Sequence, residues 1–146
     1  MGREFLVRAD GGARGNPGAA AFGAVVYENG KVIKEIFETI GIASNNVAEY
    51  RGLIAGLNAV HSLDPNGHIL VEMDSKLVIE QMSGNWKIKH PDMRQLALVA
   101  NKIHPPAQIR YVWVPREQNR LADALCNESL DAVAAGRDGR IVRNYF

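Results

Sequence analysis

Four of the 16 acidic residues in this chain stand out because of where they fall relative to predicted strands and helices. Asp10 ends a run that alternates like a half-buried strand, and Asp74 directly follows the apolar run 69–73. Glu49 and Asp123 lie in the first turns of two predicted helices. Strand ends and helix starts that meet above a sheet can bring such side chains to one point.

Four carboxylates at one point would repel each other strongly where the effective dielectric constant is low. Divalent cations remove this repulsion, and a ligand set made only of carboxylate oxygens suits Mg2+ or Mn2+ rather than Zn2+. Two such ions about 4 Å apart can activate a water molecule and stabilise the leaving oxygen of a phosphodiester. The set therefore predicts metal-assisted hydrolysis of a phosphodiester.

Each carboxylate also has a structural interpretation when it is considered alone. Asp74 could be the N-cap of the helix that follows it. Glu49 and Asp123 could interact with the dipoles of the helices that carry them. The shared site is favoured because all four lie where one site would need them.

The first half of the chain predicts three strands and a helix. Residues 4–10 form the first strand and run into DGGARGNPG, which we expect to be irregular because of its glycines. The β-rich runs 19–28 and 31–40 flank Asn29-Gly30, a strong hairpin signal. Apolar residues from Val47 to Val60 then follow helical spacing, and Ser44, Asn45 or Asn46 can cap that helix.

The second half predicts a strand at 68–73, a short helix after Asp74, a helix from Pro91 to about Ile103, a strand at 109–114 and a last helix capped by Asn119. We expect Trp113 to point into the core. The order β-β-β-α-β-α-α-β-α predicts an α/β fold with a mixed five-stranded sheet, three strands antiparallel and two parallel, flanked by helices.

The length of 146 residues predicts one domain, at residues 1–134, followed by a basic tail at 135–146. The tail could be a linker, the cut end of a longer chain or a binding arm. No apolar run approaches the roughly 20 residues that span a bilayer, and the charged N-terminus does not read as a signal peptide. A single cysteine, Cys126, excludes an internal disulfide framework. We therefore expect a cytoplasmic protein with no membrane partner.

The net charge of +1 argues neither for nor against nucleic acid as a partner. If four acidic residues belong to a metal site, 17 basic residues face the remaining 12, a net +5 on the rest of the surface. Such a surface is mildly basic, which is enough for a phosphate-binding face.

The four acidic positions lie in segments that resemble the motifs of the type I ribonuclease H family. These segments are ADGGARGNPG with Asp10, SNNVAEYRGLIAGL with Glu49, VEMDSKLVI with Asp74 and NRLADAL with Asp123. They occur in the family's order, and the resemblance covers about residues 4–134. It implies that the four carboxylates are catalytic metal ligands for two Mg2+ or Mn2+ ions. The implied reaction is hydrolysis of the RNA strand of RNA–DNA hybrids, leaving 5′-phosphate and 3′-hydroxyl ends.

The resemblance also implies substrate contacts, because members of the family read 2′-hydroxyls to separate RNA from DNA. Asn16 and Asn45 resemble residues that touch the minor groove, although Asn16-Pro17-Gly18 could simply be a turn. Ser44 could bind phosphate or cap a helix, and Trp86 could flank the DNA strand or pack. The full implied set is Gly11, Gly12, Asn16, Ser44, Asn45, Asn46, Ser75, Trp86, Arg116 and Asn119.

Three departures place the chain in a branch that lacks two features of the best-known members. The loop after the last predicted strand is VPREQN, without the family's Gly-His pair. Arg116 or Glu117 could substitute in part for the histidine, or the step could run without help. Gly12 stands where the family has Ser or Thr, and the basic helical handle is missing. Alternatives are a hybrid-binding module without catalysis, or another nuclease of the same fold such as a junction resolvase or integrase.

The resemblance further implies a monomer, and some relatives carry a phosphatase-like domain after this one. The remaining conspicuous residues have structural interpretations. His61, His68 and His104 lack the spacing of metal ligands, and Cys126 lies on the apolar stripe of the last helix.

Overall fold

The structure is a computed structural model, and it describes residues 2–146. Among these residues, six strands and four α-helices follow one another. They are β1 (Glu4–Arg14), β2 (Gly18–Glu28), β3 (Lys31–Ala43), α1 (Asn45–Leu63), β4 (His68–Met73), α2 (Lys76–Met82), α3 (Pro91–Ile103), β5 (Ile109–Trp113), α4 (Arg120–Ala134) and β6 (Ile141–Asn144). The strands form one sheet in the order β5-β4-β1-β2-β3-β6.

The sheet is mixed, as the sequence predicts. β1 pairs antiparallel with β2, and β2 antiparallel with β3, whereas β1 with β4 and β4 with β5 pair parallel. The hairpin turn between β2 and β3 has Asn29 at φ 53° and Gly30 at φ 75°. Positive φ at both central residues is what a two-residue hairpin turn requires, which explains the Asn-Gly pair.

Helices cover both faces of the sheet because apolar side chains alternate along its central strands. Ala24 and Val26 of β2 belong to the core shared with α1, whereas Val25 packs with Leu125 of α4. The main core lies between the sheet and α1, with α3 packed on α1. This arrangement leaves β1 and β4 side by side, with α1 and α4 both in contact with β1.

The sheet has six strands rather than the predicted five, because part of the basic tail forms β6. Residues 141–144 pair antiparallel with β3, from Phe37↔Ile141 to Lys34↔Asn144. Polar contacts fix this segment: the Tyr145 hydroxyl donates to Glu35 Oε1 at 2.5 Å, and Arg143 donates to Glu128 Oε2 at 2.7 Å. In the structure, these residues are part of the sheet.

Residues 11–14 of the glycine-rich stretch are regular, contrary to expectation, whereas residues 15–17 form a turn. β1 continues to Arg14, and its ladder with β2 includes Gly12↔Ala21 and Arg14↔Ala19. The ladder persists because β2 supplies an unbroken antiparallel partner. Glycine is required at position 11 because α1 packs closely against β1 there.

No helix among residues 2–146 is long and apolar enough to cross a membrane. Within the described part of the chain, His61 and His104 contact each other and are not part of a carboxylate cluster. Nδ1 of His61 lies 3.0 Å from Nδ1 of His104, and Nε2 of His104 lies 2.7 Å from the Gly67 carbonyl oxygen. This pair ties the end of α1 to the end of α3.

Candidate active site

The structure brings Asp10, Glu49 and Asp74 together at one end of the sheet. One carboxylate oxygen from each lies within 4.8 Å of the others. Asp10 lies inside β1, two residues beyond Arg8↔Glu72, the last pair between β1 and β4. Asp74 immediately follows β4. The two aspartates therefore face the opening where these parallel strands separate.

Glu49 reaches this opening because α1 begins directly against β1. Ser44 caps the helix, its Oγ accepting a hydrogen bond from the Val47 N–H at 3.2 Å. A Cβ atom on Gly11 would lie 2.3 Å from the Ala48 carbonyl carbon and 2.4 Å from the Glu49 nitrogen. Only glycine leaves space for this approach, so Gly11 sets the depth at which Glu49 enters the site.

Asp123 approaches from the opposite face of the sheet, on the first turn of α4. Gly23, the partner of Asp10 in the ladder, lies under this helix. A Cβ on Gly23 would be 2.4 Å from the Ala122 carbonyl oxygen. Asp123 lies outside the 4.8 Å group but close enough to interact with Asp10, and its Oδ1 is 3.8 Å from Nη2 of Arg116.

Among residues 2–146, no basic side chain forms an ion pair with Asp10, Glu49 or Asp74. Burial, followed by the charge of Asp74, raises the pKa of Asp10 to about 7, and Asp10 is only 7% exposed. Burial and then the charge of Asp10 raise the pKa of Glu49 well above its ordinary value. In the described part of the chain, Glu49 Oε2 is buried with no hydrogen-bond partner. A buried carboxylate oxygen without a partner is costly.

These features fit divalent cations. The donors are all oxygens, and a hard cation would supply the unpartnered Glu49 oxygen with a ligand bond. It would also offset the repulsion that raises the pKa of Asp10. The residues that could hold such ions are Asp10, Glu49 and Asp74 together, with Asp123 beside them.

Asn119 supports Asp74 from below. We expected its side chain to cap α4 and to contact substrate, but it makes no capping hydrogen bond and is 1% exposed. Its Nδ2 donates to the Ala9 carbonyl at 2.8 Å and to Asp74 Oδ1 at 3.1 Å. The amide therefore joins the backbone of β1 to the carboxylate that follows β4.

Trp113 does not point into the core, and that prediction is wrong. Its side chain is 45% exposed, and its Nε1 donates to the Asp74 carbonyl oxygen at 3.2 Å. β5 is an edge strand, and the short helix α2 that contacts it leaves the Trp113 side chain partly exposed. The sequence contains one indication of this contact. An aromatic residue ends β5, the strand that pairs with β4, and Asp74 follows β4.

The residues expected at the minor groove link the turn between β1 and β2 to the start of α1. Asn16 Oδ1 accepts from the Asn45 backbone N–H at 3.1 Å, and Asn45 Oδ1 accepts from the Ala13 N–H at 2.8 Å. Asn16, Asn45 and Asn46 are all exposed. Their free amide groups are therefore held at the surface beside the start of α1.

The other expected contacts occupy varied positions. Ser75 caps α2 by accepting from the Val78 N–H at 3.3 Å. Trp86 is 45% exposed in the loop between α2 and α3, and the Arg116 side chain is 77% exposed near Asp123. A Cβ on Gly12 would meet only the Cys126 sulfur, at 3.9 Å.

Cys126 is buried, as the apolar stripe of α4 predicts. Its thiol donates to the Ala21 carbonyl oxygen at 3.2 Å. Burial, followed by the charge of Asp10, raises the pKa of this thiol to about 12. The cysteine is therefore a packing residue under the site.

Comparison with known proteins gives a consistent family. Residues 8–129 match the family model described as reverse transcriptase-like. The bifunctional protein Rv2228c of Mycobacterium tuberculosis is 51% identical over 134 residues, which cover 90% of this chain and 36% of that protein. Ribonuclease HI of Halobacterium salinarum is 41% identical over 124 residues, covering 84% of this chain and 62% of the relative. The chain thus spans about a third of the length of its mycobacterial relative.

Solved structures agree over nearly their whole length. The N-terminal RNase H domain of Rv2228c from M. tuberculosis, solved as a fusion with maltose-binding protein, has a TM-score of 0.85 and 49% identity. The match covers 92% of this chain and 98% of that one. LC11-RNase H1 in complex with an RNA/DNA hybrid has a TM-score of 0.83 and 34% identity, over 89% of this chain and 99% of that one.

Proposed function

The chain belongs to the type I ribonuclease H family, and on this premise we propose that it is an endoribonuclease that cuts the RNA strand of RNA–DNA hybrids. We further propose that it uses two divalent ions, Mg2+ or Mn2+, and leaves 5′-phosphate and 3′-hydroxyl ends. The observation that carries the proposal is the convergence of Asp10, Glu49 and Asp74 within 4.8 Å, with Glu49 Oε2 buried and unpartnered among the described residues.

The four carboxylates would form two ligand sets that share Asp10. Oxygens of Glu49 and Asp74 lie within 4.8 Å of one of Asp10, and Asp123 interacts with Asp10 from α4. Asp10, Glu49 and Asp74 would hold one ion, and Asp10 and Asp123 would hold the other. When bound, such a pair of ions supplies an activated water nucleophile and stabilises the leaving oxygen. The chain's own part is to hold these oxygens in place and exclude other ligands.

Recognition of the hybrid is assigned to the surface beside the carboxylates. The exposed amides of Asn16, Asn45 and Asn46 and the backbone at Gly11 and Gly12 would read the minor groove and 2′-hydroxyls. Four further residues, Ser44, Ser75, Trp86 and Arg116, would contact the strands outside the groove. A neighbour of the same fold, LC11-RNase H1, has been solved with an RNA/DNA hybrid, which supports this class of substrate.

Arg116 is our candidate for part of the role of the absent loop histidine. Its guanidinium lies 3.8 Å from the Asp123 carboxylate, on an otherwise exposed side chain. An exposed arginine in that place can exchange a carboxylate for a phosphate oxygen, because both are bidentate anionic acceptors. This would assist release of the cut end.

We also propose that residues 1–134 hold every site residue of the domain, while β6 of the tail completes its sheet. We propose further that the domain acts as a monomer in the cytoplasm, and that a phosphatase-like domain follows it in a longer parent chain. The mycobacterial relative supports the last point, because it is described as bifunctional and is much longer than the match. Sedimentation of the purified chain tests the monomer, and the length of the parent open reading frame tests the fusion.

The activity is tested with a labelled hybrid, an RNA duplex and a DNA duplex, each incubated with the protein and Mg2+ or Mn2+. We expect cleavage of the hybrid RNA only, abolished by Asp10→Asn and retained by Asp92→Asn, which alters an exposed aspartate of α3. Mass spectrometry of the products should show 5′-phosphate and 3′-hydroxyl ends. Equal cleavage by the parent and Asp10→Asn would remove the assignment, and binding of the hybrid without cleavage would indicate a binding module.

A further inference from the structure

The chain leaves the sheet at the residue that carries one of the four carboxylates. β4 ends at Met73, which pairs with Trp113 of β5. The Val114 N–H donates to the Met73 carbonyl oxygen at 3.0 Å, and this is the last backbone bond on that side. The next carbonyl along the chain, that of Asp74, accepts the Trp113 indole N–H at 3.2 Å. A side chain thus extends the ladder by one bond.

Asp74 is therefore held at two points. Trp113 binds its backbone, and Asn119 donates to its carboxylate oxygen Oδ1. Restraint is needed here, because the carboxylates of Asp10 and Glu49 lie within 4.8 Å and repel that of Asp74 until cations bind. A turn that is free to move would let Asp74 swing away and would weaken the metal site.

The indole is not driven to this carbonyl by burial. Trp113 is 45% exposed, so its N–H could equally donate to water. Lys76, the first residue of α2, also contacts the ring: its Nζ lies 5.8 Å from the ring centroid, within cation–π range. The Trp113 side chain thus contacts both Asp74 and Lys76, the residues on either side of the turn between β4 and α2.

We propose that Trp113 is a positioning residue for Asp74: its indole N–H fixes the turn that presents this carboxylate to the divalent ions. The inference rests on the proposed function, because Asp74 is a metal ligand only there. It assigns a role to an exposed aromatic residue that lies outside the set of ligands and substrate contacts given above.

The test compares Trp113→Phe, which keeps an aromatic ring but removes the N–H, with Trp86→Phe, which changes the other tryptophan, also 45% exposed. The readout is the rise in melting temperature with Mg2+ concentration, in the absence of nucleic acid. Trp113→Phe should raise the Mg2+ midpoint by about 3- to 10-fold, the effect expected from one lost hydrogen bond. Trp86→Phe should leave it unchanged. A Trp113→Phe midpoint equal to that of the parent overturns the proposal.

A second measurement uses the parent protein and does not depend on how a variant folds. The two indole N–H resonances, assigned with Trp86→Phe, are followed during a Mg2+ titration. The Trp113 resonance should move with the midpoint seen in the melting experiment, and the Trp86 resonance should not. A Trp113 resonance that stays fixed while the protein gains stability would contradict the link to Asp74.

Cleavage assays separate this inference from the proposed function. At saturating Mg2+, Trp113→Phe should recover the parental kcat with an unchanged KM for the hybrid. An increased KM with an unchanged metal midpoint would mean that Trp113 contacts substrate instead, which overturns the positioning role. If the parent binds Mg2+ but does not cleave the hybrid, the proposed function fails while the metal midpoints still decide the role of Trp113.

Discussion

Replacing Asp10 by asparagine should stabilise the metal-free protein at neutral and alkaline pH. The pKa of Asp10 rises from 3.8 to about 7 on folding, because the carboxyl is buried and lies next to the charge of Asp74. The folded protein therefore binds a proton that the unfolded chain releases. The resulting stability is fully present below about pH 4 and is lost as the pH rises through about 7.

The size of this effect follows from the pKa. At 1.36 kcal/mol per pH unit, raising the pKa from 3.8 to about 7 corresponds to about 4 kcal/mol of unfolding free energy. Glu49 can hold a proton in place of Asp10, so we expect about 2 to 4 kcal/mol at pH values above about 8. For a chain of this length, that is a rise in melting temperature of about 6 to 15 °C.

The assay is thermal unfolding followed by circular dichroism, in EDTA, at several pH values between about 4 and 9. The difference between Asp10→Asn and the parent should be small in acid, grow through neutral pH and then level off. Asp92→Asn is the matched control, because it removes an exposed aspartate, and its difference should not vary in this way. The reasoning is refuted if Asp10→Asn melts no higher than the parent above neutral pH. Added Mg2+ should narrow the gap by stabilising the parent.

Three further outcomes are expected. Gly11→Ala should lower the unfolding free energy by about 3 kcal/mol in urea and weaken the Mg2+-dependent rise in melting temperature, because the new methyl group would displace Glu49; normal metal stabilisation would contradict this. The Cys126 thiol, with its pKa of about 12, should react with a chromogenic disulfide at mildly alkaline pH only after unfolding in urea. Rapid labelling of the native protein would contradict this, because it would mean that the packing around Cys126 opens in solution. Tyr145→Phe should cost about 1 kcal/mol, because it removes the hydrogen bond to Glu35, and an unchanged melting temperature would mean that the tail is not docked in solution.

The position of the carboxylates could be predicted because changes of period along a sequence mark where strands end and helices begin. Asp74 follows β4, and Glu49 lies near the start of α1, four residues after Asn45, as the pattern indicates. The pattern predicts that Asp10 ends its strand. In the structure Asp10 lies inside a longer strand, and the opening beside it arises because the pairing of β1 with β4 stops at Arg8. The pattern of one sequence shows which residues favour a strand, but it does not show where a strand stops pairing with its neighbour in the sheet.

Three features depended on tertiary contacts that no local pattern contains. Glycine in an irregular loop and glycine under a helix look alike in sequence, so the ladder around Gly11 was missed. The strand β6 is short and basic, and it pairs only because β3 has a free edge where Tyr145 and Arg143 find acidic partners. Trp113 alternates as expected, but its exposure follows from the place of β5 at the sheet edge.

The packing of α4 on Gly23 has a consequence for which cation suits the site. Asp10 and Gly23 are cross-strand partners, and the helix bearing Asp123 rests on Gly23 with no space for a methyl group. The distance between the backbone segments that carry these two aspartates is therefore set by the contact of α4 with the main chain of β2. A single methyl at position 23 would raise the helix and widen this distance without altering any ligand. Selectivity between ions of different radius would then reside partly in a residue that never meets an ion.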